Sequence, residues 1–354
     1  SSTWLAVGTS SGTRNGRAVG TRYNSAQCAA KKIHPKTYHK TQPMTSPSYN
    51  PDVLIIGAGL AGLSAANELQ LAGYRVLVVD KGRGLGGRLA GRRIGGATFD
   101  HGAQFMTTRQ PRFVEQVNKW VDAGVAEPWY SSVTGQPNSH VRYRGVPTMT
   151  AIAKYMAQGI DILRATRVTA IGHEDNGWIA ILDNGASVSA DSMIITSPAP
   201  QTIELLATGN TQLPNDKCAR LNRIVYESCI AVMAILDGPS NISSPGALML
   251  DVGPIAWISD NQQKGVSSLP AITIHGSAAF SAKYLDYDRN LVAKKLIAAA
   301  KPYLGANVLE FQVHRWRYSK PIVMDEHSCM LASEHTSLPP LIFAGDAFAG
   351  PRVE

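Results

Sequence analysis

Residues 52–80, DVLIIGAGLAGLSAANELQLAGYRVLVVD, run through a short apolar stretch, a glycine turn, a periodic apolar segment and a second apolar stretch. The first stretch is β-rich. Beyond the glycines Leu60, Leu63, Ala66 and Leu69 recur at helical spacing, and RVLVVD then returns as a strand. This order predicts a βαβ unit. Further on, TRVTAIGHE, GWIAILD and ASVSADSMIIT are separated by Asp-Asn-Gly and Asp-Asn-Gly-Ala turns, which predicts a β-meander. Its last part, SMIIT, reads as a strand returning beneath the first unit. Alternate side chains of a strand share a face. AITIHGS therefore sets Ile272 and Ile274 against Thr273 and His275, while VHRWRYS sets His314, Trp316 and Tyr318 against Arg315 and Arg317. LIFAGDAF is a short apolar strand ending in Gly345-Asp346.

A chain of 354 residues is long enough for two domains. Its formal charge of +8 invites a nucleic-acid reading, but residues 1–51 hold seven Lys or Arg and no acid, leaving the remainder close to neutral. The basic excess belongs to the tail, so no nucleic-acid partner is expected. The tail is rich in Ser, Thr, Gly and basic residues without apolar periodicity, and is expected to be disordered. Met44, followed by a small residue, reads as the natural start, with residues 1–43 as upstream sequence. The composition of residues 1–43 also fits an organelle transit peptide. The expected location is cytoplasmic, or the plastid if that leader is genuine. No stretch reaches about 18 uninterrupted apolar residues, so no membrane-spanning helix is expected. Cys28, Cys218, Cys229 and Cys329 lack metal or redox spacing, and no metal site is expected.

Gly57, Gly59 and Gly62 form G-x-G-x-x-G between strand and helix, where a dinucleotide pyrophosphate binds. Gly57 permits the turn, Gly59 lets a pyrophosphate approach the backbone, and Gly62 lets the helix pack on the strand. Asp80, eighteen residues past Gly62, ends the second strand, where it can accept a ribose hydroxyl. Directly after it, DKGRGLGGRLAGRR packs five glycines and five cations into fourteen residues. Gly86 and Gly87 allow close backbone approach, and Arg88 offers a planar fork to phosphate. Arg92 and Arg93 read as solvated.

GAGLAG followed by DKGRGLGGR resembles the FAD-binding signature of the amine oxidase and phytoene desaturase superfamily. Within it, ATFDHGAQFMTTR resembles the GAQ-aromatic segment of the renalase family. PAITIHGSAAFSAKYL, VHRWRYSKP and LIFAGDAFAGPRVE are similar to three later segments of the same family. The resemblance runs from about Asp52 to Glu354. It implies an α/β fold: a Rossmann-like FAD-binding domain of the glutathione-reductase and amine oxidase type, with a second, mixed α+β substrate domain. The expected division is a tail over 1–50, a discontinuous FAD domain over 51–100, 151–205 and 335–354, and a substrate domain over 101–150 and 206–334.

For non-covalent FAD the resemblance implies Gly57, Gly59, Gly62, Asp80, Lys81, Gly86, Gly87, Arg88, Gln104, Val168 (through its backbone), Gly345 and Asp346. Phe105, His275 and Trp316 are implied as the catalytic wall that orients the substrate ring. Renalases oxidise isomeric dihydropyridine forms of NAD(P)H, with dioxygen reoxidising the flavin to give hydrogen peroxide. The implied partners are thus a small NAD(P)H-type substrate and dioxygen. The alternatives are a flavin amine oxidase acting on small amines, for which no matched lysine or second cage aromatic is placed, and an inactive or truncated flavoprotein. Two departures from the family stand out: Phe105 occupies a position where some relatives carry Tyr, and Pro147-Thr148 precede Met149. The chain also ends at Glu354, where the helix after Gly-Asp should begin, so the sequence is read as a fragment with weakened flavin retention.

Overall fold

The computed structural model describes residues 50–131, 140–174, 177–250, 252–334, 336–348, 350, 353 and 354. The expectations for the tail and for the start at Met44 lie outside the described residues, as does Asp175-Asn176 of the first meander turn. The predicted βαβ unit forms: strand β1 (Val53–Ile56), helix α1 (Leu60–Leu71) and strand β2 (Val76–Val79). β1 pairs in parallel with β2 on one side and with Ser192–Ile195 on the other. The full sheet has six strands in the order Cys329–Leu331, Leu341–Ala344, Ser192–Ile195, β1, β2, Asp161–Leu163. All neighbours run parallel except the edge pair Cys329–Leu331 and Leu341–Ala344.

Both faces of this sheet are covered, and the near-continuous apolar runs of β1 and β2 follow from that. Val53, Ile55, Val76 and Val78 pack with Leu63, Ala66 and Trp120 on one side. Leu54, Ile56, Leu77 and Val79 pack with Trp178, Ile203 and Phe343 on the other. The predicted meander is present as Val168–Glu174, Gly177–Leu182 and Ser187–Ala190. Its third segment divides at Asp191, so that Ser192–Ile195 enters the parallel sheet beside β1.

The second layer is a five-stranded antiparallel sheet in the order Ala247–Met249, Ile255–Asp260, Ala271–Gly276, Val225–Leu236, Val308–Val323. Ile272 and Ile274 face a core built with Val292, Leu296 and Ala300 of the helix Arg289–Leu304. The alternation read in AITIHGS is therefore the alternation of the sheet. Two pieces sit away from the expected division. Cys329–Leu331, assigned to the substrate side, is an edge strand of the parallel sheet. The hairpin Gly91–Ile94 with Ala97–Asp100, assigned to the FAD side, packs Ile94, Ala97 and Phe99 on Met233, Ile235 and Ala271 of the antiparallel sheet. Apolar contact, not chain position, decides each case. Among the described residues, no helix is long and apolar enough to cross a membrane, and no group of three or more His, Cys, Asp or Glu is placed to hold a metal.

Candidate active site

The first glycine turn has the geometry its sequence demands. Gly57 has φ +114, a conformation glycine alone adopts without strain. A Cβ on Gly62 would sit 1.9 Å from the Gly57 carbonyl oxygen, whereas one on Gly59 would meet nothing within 4 Å. Gly62 is thus a packing glycine, and Gly59 opens onto free space. The basic segment after Asp80 folds back on this turn: Gly86 N donates to Ala58 O at 2.9 Å, and Gly59 and Gly86 form a parallel bridge. Asp80 ties the two loops together, its carboxylate accepting from Ala58 N and from Gly82 N, each at 2.6 Å. Two donors do not exhaust a carboxylate, which has about four lone-pair sites.

These loops border a cavity of about 1560 Å³. Gly57, Gly59, Asp80, Lys81, Gly86, Gly87, Arg88, Val168, Gly345 and Asp346 all line it. Arg88 and Asp346 meet in a two-pronged ion pair at 2.5 and 2.7 Å, and Arg88 also reaches the carbonyls of Tyr318 and Ser319 at 3.3 Å. Lys81 is turned to Gln201, with Nζ 3.0 Å from Oε1, and burial lowers its pKa.

The same cavity is lined by His101, His314 and Trp316. His101 and Trp316 stack with ring centroids 5.2 Å apart and planes at 18°, while His314 lies 4.7 Å from His101 and 4.2 Å from Trp316. Trp316 Nε1 donates to His101 O at 2.9 Å, which fixes the indole. Burial lowers the pKa of His101 to about 2, helped by His314 and Arg92, and that of His314 to about 4, helped by Arg92 and Arg289. Both imidazoles are neutral near neutral pH.

Of the three residues assigned to the catalytic wall, only Trp316 lines this cavity. His275 is 1% exposed; its Nε2 donates to His101 O at 3.1 Å, and burial lowers its pKa to about 4. It supports the carbonyl of a wall residue and does not reach the cavity itself. Phe105, 5% exposed, packs against Trp257 at 5.7 Å with the Arg142 guanidinium 5.3 Å from its ring. Gln104, assigned to the cofactor, is 3% exposed and turned inward, donating to the carbonyls of Asp100 and Gly102 and accepting from Ser259 Oγ at 2.8 Å.

The DHGAQF segment carries a buried charge. Lys264 and Asp100 form an ion pair at 2.9 Å with both side chains fully buried. Burial lowers the Lys264 pKa, and Asp100 opposes that shift. Asp100 also accepts from Met149 N at 3.0 Å, and its backbone is held by Asn261 and Thr273. This network ties Asp100 to Asn261 and to Thr273 of the antiparallel sheet, while the next residue, His101, lines the cavity. Gly102 fits beneath, where a Cβ would lie 2.0 Å from Arg88 O and 3.2 Å from Trp316 Cζ2. Sequence reasoning gave no role to His101, His314, Lys264 or Arg92. His101 carried a signal, since it stands in the DHGAQ stretch; Lys264, in the loop DNQQKG, carried none.

Residues 143–353, more than half the chain, match the family model described as flavin containing amine oxidoreductase. The chain belongs to this family. Residues 55–120 match the NAD(P)-binding Rossmann-like domain. Among relatives of the amine oxidoreductase family, renalase from Mus musculus is 26% identical over 290 residues, covering 76% of this chain and 84% of that protein. L-amino acid dehydrogenase from Synechocystis is 37% identical over 78 residues, 22% of this chain and 17% of that protein. Wild-type putrescine oxidase bound to putrescine has the same fold, with a TM-score of 0.63 at 14% identity, covering 87% of this chain and 96% of that one.

The chain is accordingly a flavin-dependent oxidoreductase, and its cavity fits the family's FAD. The space exceeds the roughly 300–1,000 Å³ of an ordinary small-ligand site. The glycine turn is open at Gly59, and Asp80, Val168, Arg88, Gly345 and Asp346 line the same cavity.

Proposed function

We propose that this chain oxidises a dihydropyridine donor, an isomeric form of NAD(P)H, with non-covalently held FAD as cofactor and dioxygen as the terminal acceptor. The observation that supports this most is the stacked pair His101–Trp316 sharing one cavity with the glycine loops. A dihydropyridine gives up hydride readily because its ring becomes aromatic, so the protein has chiefly to hold a flat donor in place. When bound, FAD supplies the hydride acceptor, and dioxygen then takes the two electrons with two protons to leave hydrogen peroxide.

Burial keeps the imidazoles of His101 and His314 neutral, so they add no charge of their own beside the donor ring. Trp316, locked by its bond to His101 O, offers a fixed flat face. His275 holds the same carbonyl from the sheet side.

An amine substrate fits less well. The second aromatic group, Phe105, Trp129, Tyr130 and Trp257, is where a cage would be sought, but its rings already meet the chain's own cations. Arg142 lies 5.3 Å from the Phe105 ring and 4.8 Å from the Tyr130 ring, and Lys264 lies 4.9 Å from that of Trp129. Steady-state peroxide formation tests the reading: isomeric dihydronicotinamide dinucleotides should sustain it and small amines should not. Turnover with amines and none with dihydropyridines contradicts it.

A further inference from the structure

The DKGRGLGGRLAGRR segment ends in two arginines that the structure treats differently. The strand Gly91–Ile94 turns Arg93 to solvent and Arg92 onto the cavity, among the residues that line it together with His101, His314 and Trp316. Other lining arginines are either matched or exposed. Arg88 pairs with Asp346, Arg317 pairs with Asp286, Arg315 donates to Tyr287 O, and Arg83 and Arg167 are exposed. The Arg92 side chain is half-buried and, among the described residues, has no hydrogen bond or ion pair.

A guanidinium partly withdrawn from water loses some of its hydration, which an anion bound beside it would replace. Its field already acts on the wall, where it adds to the effect of burial in keeping His101 and His314 unprotonated. A field that disfavours imidazolium favours an oxyanion. The planar fork of Arg suits phosphate or carboxylate through two parallel bonds. The residues its charge acts on, His101 and His314, are those that stand against Trp316.

We propose that Arg92 is a specificity-determining residue that docks an oxyanion of the electron donor, the diphosphate of a nicotinamide dinucleotide, while the donor ring lies against Trp316 and His101. This rests on the reading of the donor as a dihydropyridine nucleotide. A neutral dihydronicotinamide riboside offers the same ring without the phosphates and should be the poorer substrate.

The test uses the full, FAD-loaded chain and the variants Arg92→Gln and Arg92→Lys. Anaerobic loss of flavin absorbance is followed with the isomeric dihydro-dinucleotide and with the riboside. In Arg92→Gln the preference for the dinucleotide should fall about ten- to a hundredfold, carried by the half-saturating concentration and not the limiting rate. Arg92→Lys should restore part of it. An unchanged preference overturns the proposal. A second arm needs no electron transfer: inorganic pyrophosphate and, separately, acetate are titrated while the flavin spectrum is recorded. Pyrophosphate should perturb the native spectrum and fail to do so in Arg92→Gln. An equal response of both proteins, or an Arg92-dependent response to acetate alone, overturns phosphate docking. If no dihydropyridine bleaches the native flavin, the donor reading fails, and the pyrophosphate arm still decides the role of Arg92.

Discussion

Arg88 and Asp346, 258 positions apart in the chain, meet through two charge-assisted hydrogen bonds of 2.5 and 2.7 Å at the cavity wall. The contact fastens the basic glycine loop to the residues that follow the strand Leu341–Ala344, and both partners line the cavity. With side chains 19% and 14% exposed, the pair is largely desolvated.

Asp346→Asn should therefore cost more than a surface ion pair. It leaves Arg88 without a counter-charge, and breaking a buried pair from one side costs about 3–5 kcal/mol. Urea unfolding should show that loss, and the purified variant should retain less FAD. The double variant Arg88→Gln/Asp346→Asn should recover part of the stability but not the flavin content.

Gly59 and Gly62, one open and one packed, separate folding from binding. Gly59→Ala places its methyl in free space and should leave the unfolding midpoint of the flavin-free protein unchanged while weakening FAD retention. Gly62→Ala drives a methyl into the Gly57 carbonyl, so it should lower both the midpoint and the flavin content. Thermal melts of flavin-free and flavin-loaded protein distinguish the two.

Acid should weaken the fold through its buried histidines. Burial lowers the pKa of His101 to about 2 and those of His275 and His314 to about 4, against an ordinary 6.5. Below pH 6.5 the unfolded chain binds protons that the folded chain refuses, so unfolding is favoured as pH falls. This contribution is fully present above about pH 6.5 and is lost on acidification through about pH 4, with His101 extending the loss towards pH 2. Melting midpoints taken across that window should decline, and His275→Asn should make the decline shallower.

Lys264 and Asp100 present a sharper energetic contrast. Lys264→Met leaves the Asp100 carboxylate buried and unpaired, costing about 3–5 kcal/mol, whereas Lys264→Met/Asp100→Leu should fall well short of that cost. Chemical denaturation of the three proteins checks this. Because Asp100 precedes His101, the double variant should also shift the flavin spectrum as the wall loses its anchor.

The chain's first unit was legible because everything it needs is local. The apolar period, the spacing of Gly57, Gly59 and Gly62, and Asp80 at the strand end lie within 29 residues. Alternation in VHRWRYS also grouped His314 with Trp316 correctly, since a strand's two faces follow from its pleat. Alternation names a face but not what the face meets. It put His275 opposite Ile274, yet only the fold shows that this face receives the His101 carbonyl and not the cavity. Phe105 and Gln104 lie in a segment held by a tertiary contact that the sequence does not show: the Lys264–Asp100 pair joins positions 164 apart. Arg92 and Arg93 are indistinguishable by residue type, and the strand that separates them appears only through its pairing with Ala97–Asp100.

The most direct test of the central claim is a single anaerobic turnover of the FAD-loaded chain with an isomeric dihydronicotinamide dinucleotide deuterated at the donating carbon. Stoichiometric loss of flavin absorbance, one oxidised nicotinamide per flavin, a rate slowed by deuterium, and a full equivalent of hydrogen peroxide once dioxygen is admitted are expected. A flavin left oxidised by every dihydropyridine isomer but reduced by small amines would contradict it.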